Sequence, residues 1–145
     1  MKLSDHFYLH EFTVSQEAVR RRLDNTPTPA VIENLKRLCD VLEQVRNVVG
    51  RPVVITSGYR SPEVNAAVGG AKNSQHVHGL AADIVVPGMT PLQVCQAIQK
   101  ACIQFDQLIH EYEAWTHISV PAIGKGPRAQ SWTYKHGRAV IAGIV

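Results

Sequence analysis

The most regular hydrophobic pattern in the chain lies between residues 26 and 50, where apolar side chains recur every three or four positions. That spacing places them on one face of an α-helix, opposite a polar face. Pro29 suits the first turn of such a helix, and Gly50 suits its end. We therefore predict a helix with a buried face formed by Ile32, Leu35, Leu38, Cys39, Leu42 and Val45.

Two further helices are indicated by the residues that begin them. In SPEVNAAV, Ser61 is a candidate N-cap and Pro62 suits the first turn. Thr90 and Gln93 have the spacing of a capping box, in which each side chain bonds to the backbone of the other residue. The buried face predicted for this last helix consists of Leu92, Cys95, Ile98 and Cys102.

Short apolar and β-branched stretches between and after these helices are typical of strands. The pattern predicts strands at residues 53–56, 80–86, 105–112 and 115–120, and it makes residues 138–145 a candidate last strand. The third and fourth strands are joined by a tight connection around Glu113 and Ala114. Helices at the front and strands after them, with one helix interrupting, predict an α+β fold with a mostly antiparallel sheet.

Composition indicates one compact domain spanning residues 1–145. The 145 residues are 45% hydrophobic and 19% charged, which suits a globular core. Cys39, Cys95 and Cys102 lie in apolar helical patterns without CxxC spacing, so we expect reduced core residues.

Charge and the N-terminal sequence bear on partners and location. The net charge of +3 is weakly basic, and the basic residues neither cluster nor alternate with aromatic residues, so we expect no nucleic-acid partner. We interpret the basic residues Arg20 to Arg22 as part of the solvated surface. The start MKLSDHFYLHEF lacks the apolar core of a signal peptide, and no stretch is long enough to span a bilayer. We therefore expect synthesis in the cytoplasm without a signal peptide.

The stretch SQHVHGLAADI, residues 74–84, carries the candidate chemistry. It places His76, His78 and Asp83 among small and apolar residues. Imidazole and carboxylate groups are zinc ligands, and a catalytic zinc site usually takes three of them and keeps one position open. His117 can supply a third ligand from the strand WTHIS, with Glu111 and Glu113 just before it. On composition alone this pattern is weak, because seven histidines produce such spacings by chance.

The same residues resemble a known family. Ser74, His76, Gly79, Ala81 and Asp83 match the pattern S-x-H-x-x-G-x-A-x-D of the zinc D-Ala-D-Ala carboxypeptidases and dipeptidases, which include phage endolysin peptidases. WTHIS is similar to the second block of that family, W-x-H, and ITSGYRSPEVNAAVGG is similar to the segment preceding the first block in its single-domain, often phage-encoded branch. The resemblance covers about residues 3–121 and leaves residues 122–145 unassigned.

The resemblance implies a fold and a metal site. The fold is that of the hedgehog and DD-peptidase domains, α+β, with an antiparallel sheet carrying one Zn²⁺ per chain and helices packed on one side. His76, Asp83 and His117 correspond to the metal ligands, and His78, the rival to His76, falls outside the pattern. Gly79 suits a turn that a side chain could block.

The resemblance also implies a general base and substrate contacts. Glu111 is the favoured base and Glu113 is the alternative. Glu113 could instead be an exposed carboxylate in the turn. Arg60 corresponds to an arginine that approaches the substrate, although it could instead pair with Glu63 at the surface. Ser74 is expected to contact substrate or steady the ligand loop. Trp115 could line the cleft or belong to the core.

The function implied is hydrolysis of an amide bond in peptidoglycan stem peptides, by a D-Ala-D-Ala carboxypeptidase or an endolysin-type endopeptidase of phage or prophage origin. The protein would be a monomer and would act at the bacterial cell wall after release, with a holin as the partner that releases it. The alternative is a zinc-containing cell-wall-binding or virion structural protein on the same scaffold that does not hydrolyse its ligand.

Overall fold

A computed structural model describes residues 1–145 as five α-helices, one short 3-10 helix and six strands. The helices are α1 (Leu9–Thr13), α2 (Gln16–Arg21), α3 (Pro29–Val49), α4 (Pro62–Ala67) and α5 (Pro91–Lys100), and the 3-10 helix is Gln75–His78. The strands are β1 (Val54–Ser57), β2 (Ala81–Val85), β3 (Gln107–Glu111), β4 (Trp115–Ser119), β5 (Gln130–Tyr134) and β6 (Ile141–Ala142).

The three predicted helices, α3, α4 and α5, begin where the sequence indicated, and α3 ends at the predicted Gly50. The Thr28 side chain caps α3 by accepting from the Val31 backbone N–H at 3.2 Å, and Gly50 ends α3 with a φ of 65°. The Ser61 side chain caps α4, and Thr90 caps α5 in a capping box with Gln93. These contacts satisfy backbone groups that a helix end leaves unpaired.

The sheet is mixed, which corrects the prediction of a mostly antiparallel one. Its strand order is β1-β2-β4-β3-β5-β6, and β5 runs parallel to β3. The cause lies in the connection after β4. Because β4 ends beside the start of β3, the chain crosses that end of the sheet and enters β5 in the same direction as β3. The backbone N–H of Gln130 donates to the Asp106 carbonyl at 3.0 Å and sets this register.

One hydrophobic core lies between helices α3 and α5 and one face of the sheet. The core combines the apolar faces of both helices with alternate strand residues such as Ile84, Leu108 and Ile118. This period-two alternation leaves the opposite face of β2, β3 and β4 free for polar residues. On α3, Val31 is buried, whereas the predicted Ile32 is only half-buried.

Two predictions at the ends of elements are wrong. Helix α5 ends at Lys100, and Cys102 adopts a φ of 55°, so its side chain leaves the helical face and is exposed. Cys39 and Cys95 are buried free thiols, as predicted. The candidate strand at residues 138–145 shortens to β6, while β5 was not predicted. No helix has both the length and the apolar character needed to cross a membrane.

Candidate metal centre and cleft

Three strands bring polar residues to the sheet face opposite the core. Asp83 on β2 is the register partner of His117 on β4, and Glu111 on β3 pairs with Trp115, two residues from His117. Successive residues of a strand point to opposite faces, so positions two apart share a face. Glu111, Trp115 and His117 therefore lie on the same face as Asp83.

His76 reaches this face from the 3-10 helix that precedes β2. The helix ends at Gly79, which has a φ of 70°, and a Cβ there would lie 2.8 Å from Val31 Cγ1. Only glycine fits this close approach without strain. The turn at Gly79 directs the chain into β2 and leaves His76, which is buried, next to Asp83.

The side chains of His76, Asp83 and His117 form a group able to hold a metal ion. Their candidate ligand atoms all lie within 4.8 Å of one another. Asp83 Oδ1 lies 3.0 Å from His117 Nδ1 and 3.5 Å from His76 Nε2. Two imidazoles and one carboxylate form a donor set typical of a catalytic zinc site with an open position.

The hydrogen bond on the far side of His76 sets its tautomer. His76 Nδ1 lies 2.7 Å from the Gly58 carbonyl oxygen. Because a carbonyl can only accept, Nδ1 donates to it, and Nε2, which faces Asp83, is the nitrogen that a neutral His76 ring offers to a metal ion. A backbone acceptor of this kind is the usual support of a metal-binding histidine. The residues present therefore fit a metal ion.

Asp83 is held in its charged form. Burial by itself raises the pKa of Asp83, but hydrogen bonds from His117 and His76, together with their charge, outweigh burial and hold the pKa well below its usual range. An ionised carboxylate beside two imidazoles is a strong site for a cation.

Glu111 is a fourth ionisable group beside this cluster. Its Oε1 lies 3.8 Å from His117 Nδ1. Burial, followed by the negative charge of Asp83, raises the pKa of Glu111 to about 6. The indole N–H of Trp115 is close enough to oppose this rise in pKa. It forms no hydrogen bond of normal geometry and is buried without a partner.

Glu113, the alternative to Glu111, lies away from the cluster. It occupies the β3–β4 turn with a φ of 57° and is exposed. His78 is also exposed and lies outside the metal-binding group. His110 is buried on the core side of β3, where its Nδ1 bonds to the carbonyl of Val145 at 3.0 Å.

Arg60, Ser74 and Trp115 line a cleft of about 520 Å³ that contains the cluster and Glu111. Arg60 Nη2 donates to Ser74 Oγ at 3.4 Å, and Arg60 forms no ion pair with Glu63. Burial lowers the pKa of Arg60, opposed by the charges of Asp83 and Glu111. Trp115 thus lines the cleft, one of the two positions considered for it, rather than the hydrophobic core.

Part of the cleft wall comes from residues that the sequence left unassigned. The segment after β4 contributes Arg128 and Tyr134, and the 3-10 helix contributes Gln75. The alternation of polar and aromatic residues in QSWTY, residues 130–134, is the sequence signal that would have revealed β5. No comparable pattern marks Arg128, because it lies in a loop.

Residues 5–119, most of the chain, match the family model of Peptidase M15. The protein belongs to the Peptidase M15 family. The matched range contains the 3-10 helix and strands β1 to β4, and so all three members of the candidate metal-binding group as well as Glu111.

A curated relative of this Peptidase M15 chain is the zinc D-Ala-D-Ala carboxypeptidase of Streptomyces albus G. The two are 43% identical over 44 residues, which is 30% of this chain and 17% of the relative. The chain therefore matches only a small part of the length of that protein.

Proposed function

We propose that this protein is a zinc-dependent peptidase that hydrolyses an amide bond in peptidoglycan stem peptides. The observation that carries the proposal is the placement of Glu111 beside the group of His76, Asp83 and His117 in one cleft. Membership of the Peptidase M15 family supports peptidase chemistry. The similarity to a zinc D-Ala-D-Ala carboxypeptidase of Streptomyces supports both zinc and a stem-peptide substrate.

The metal ligands are His76, Asp83 and His117, with one Zn²⁺ per chain. His76 offers its Nε2 lone pair, Asp83 offers an ionised carboxylate, and His117 offers a ring nitrogen. When bound, zinc supplies a Lewis acid that polarises a carbonyl group and makes water more acidic. The backbone acceptor at Gly58 keeps His76 in the tautomer that this role needs.

Glu111 is the general base. Its carboxylate accepts a proton from the attacking water and passes that proton to the nitrogen of the leaving amine. A base works best when its pKa lies near the working pH, and burial has moved the pKa of Glu111 to about 6. Glu113 lacks this environment because it is exposed in the turn.

Arg60 binds the substrate. Its guanidinium lies in the cleft wall, where it can hold a terminal carboxylate or stabilise the oxyanion that forms at the scissile carbonyl. Ser74 steadies this arginine through its hydroxyl, which also accepts from the backbone N–H of His76 at 3.3 Å. Trp115 forms one wall of the cleft beside Glu111.

The bond cut is either the terminal D-Ala-D-Ala bond or a bond within the stem. We propose a phage or prophage origin and action of a monomer at the bacterial cell wall, after release that depends on a holin. The similarity of residues 3–121 to the single-domain phage branch of the family supports this origin.

Two matched glutamate variants test the proposal. Glu111→Gln should retain zinc and lose about 100-fold or more of its turnover of a stem pentapeptide, since general base catalysis contributes about 10²–10⁴-fold. Glu113→Gln should keep both zinc and turnover. A fully active Glu111→Gln variant would exclude this residue as the base. Wild-type protein that binds zinc and stem peptide without cutting it would support the non-hydrolytic alternative.

A further inference from the structure

Arg128 enters the cleft from the segment that follows β4, outside the residues that match the family. Its backbone N–H donates to Asp106 Oδ1 at 2.9 Å, and its Nη2 donates to Asp106 Oδ2 at 2.6 Å. Its Nε lies 3.2 Å and 3.0 Å from the two carboxylate oxygens. The guanidinium is therefore held in one orientation.

Arg128 lines the cleft and keeps hydrogen-bond donors free. Nη1 makes no hydrogen bond within the protein, and the side chain is 51% exposed although its partner Asp106 is only 4% exposed. A guanidinium has five N–H donors in a rigid fork and pairs well with a carboxylate. Asp106 is held ionised, because the hydrogen bond from Arg128 lowers the pKa of its carboxyl group.

Hydrogen bonds connect both cleft arginines to the turn that carries His76. Ser74 Oγ accepts from Arg60 Nη2 at 3.4 Å, and the next residue, Gln75, donates from Nε2 to Asp106 Oδ2 at 2.9 Å. Arg60 thus contacts this turn directly through Ser74, and Arg128 is connected to the neighbouring residue, Gln75, through Asp106. Both guanidinium groups line the cleft that contains the candidate metal centre.

We propose that Arg128 determines substrate specificity by binding a second carboxylate of the peptide, separate from the group that Arg60 contacts. This inference rests on the proposed peptidase function and deepens it. The preferred substrate is a peptide with an acidic group away from the scissile bond, such as a stem peptide whose internal carboxylates are free. Asp106 is a positioning residue that fixes the guanidinium.

A matched pair of peptides tests the assignment. The two are stem pentapeptides that differ only in their internal carboxylates, which are free in one and amidated in the other. For the wild-type protein, KM for the free acid should be lower by about 10- to 100-fold, the effect of one hydrogen bond to a charged group. Arg128→Gln should remove this preference by raising KM for the free acid to about that for the amidated peptide.

Two further variants serve as controls. Arg21→Gln removes the same charge from an exposed helix, where Arg21 pairs only with Glu17, and it should keep the full preference. Arg128→Lys keeps the charge without the planar fork and should restore part of the preference. If Arg128→Gln weakens the binding of both peptides equally, Arg128 only stabilises the turn that carries His76, and the inference is wrong.

Calorimetric binding of both peptides to the Glu111→Gln variant separates this inference from the proposed function. A preference for the free acid that disappears when Arg128→Gln is added supports the inference even if the wild-type protein cuts neither peptide. The same affinity for both peptides contradicts the inference, even if the wild-type protein cuts both of them.

Discussion

Replacing Glu111 with Gln should stabilise the metal-free protein at neutral pH while removing its catalysis. Burial and the charge of Asp83 raise the pKa of Glu111 from 4.5 to about 6. Each pKa unit corresponds to about 1.4 kcal/mol, so the ionised carboxylate costs the folded state up to about 2 kcal/mol. Solvent at the open side of the cleft screens part of this cost, and we expect a gain of about 1 kcal/mol.

The pH dependence follows from the direction of the shift. The folded state holds the Glu111 proton more tightly than the unfolded state, so stability falls as pH rises between the two pKa values. Relative to the Gln variant, the wild-type protein should lose stability between about pH 4.5 and 6 and show no further loss above that range. At pH 4 the two proteins should differ little.

Urea unfolding in the presence of a chelator, at pH 4 and pH 8, measures both effects. Glu113→Gln is the control, because an exposed carboxylate should change the free energy of unfolding by less than about 0.5 kcal/mol. The reasoning is refuted if Glu111→Gln is no more stable than wild type at pH 8. It is also refuted if the gain has the same size at pH 4.

Three other predictions concern the metal-ligand turn and the metal. Gly79→Ala should lower the free energy of unfolding by about 2–4 kcal/mol, because it combines a left-handed backbone with a Cβ close to Val31; urea unfolding checks this, and an unchanged midpoint contradicts it. His76→Ala should lose bound zinc in metal analysis while His78→Ala keeps it, and the opposite result would exchange their roles. Zinc retained after dialysis should decrease as pH falls, since His76 and His117 bind a metal only when deprotonated; retention independent of pH contradicts this.

Local signals predicted the elements that build the site. Caps such as Ser61 and Thr90 and the helical spacing of apolar residues depend on neighbours in the chain, so they can be predicted from the sequence. The spacing of His76, Asp83 and His117 alone was a weak signal, and the three residues were assigned as ligands through the resemblance to a known family.

The features that the sequence analysis missed depend on contacts between distant parts of the chain. Strand β5 is parallel to β3 because of where β4 ends, which no local pattern encodes. Arg128 reaches the cleft because Asp106, distant in sequence, holds it there. Cys102 continues the helical spacing, but the helix stops at Lys100, and no glycine or proline marks that end.

The most direct test of the central claim is mass spectrometry of defined muropeptides after incubation with the zinc-loaded protein. We predict cleavage of one stem-peptide amide bond that stops when a chelator removes the metal. Loss of a terminal D-Ala would identify a carboxypeptidase, and a cut within the stem or a crosslink would identify an endopeptidase. Intact muropeptides in the presence of fully zinc-loaded protein would contradict the proposed hydrolase function.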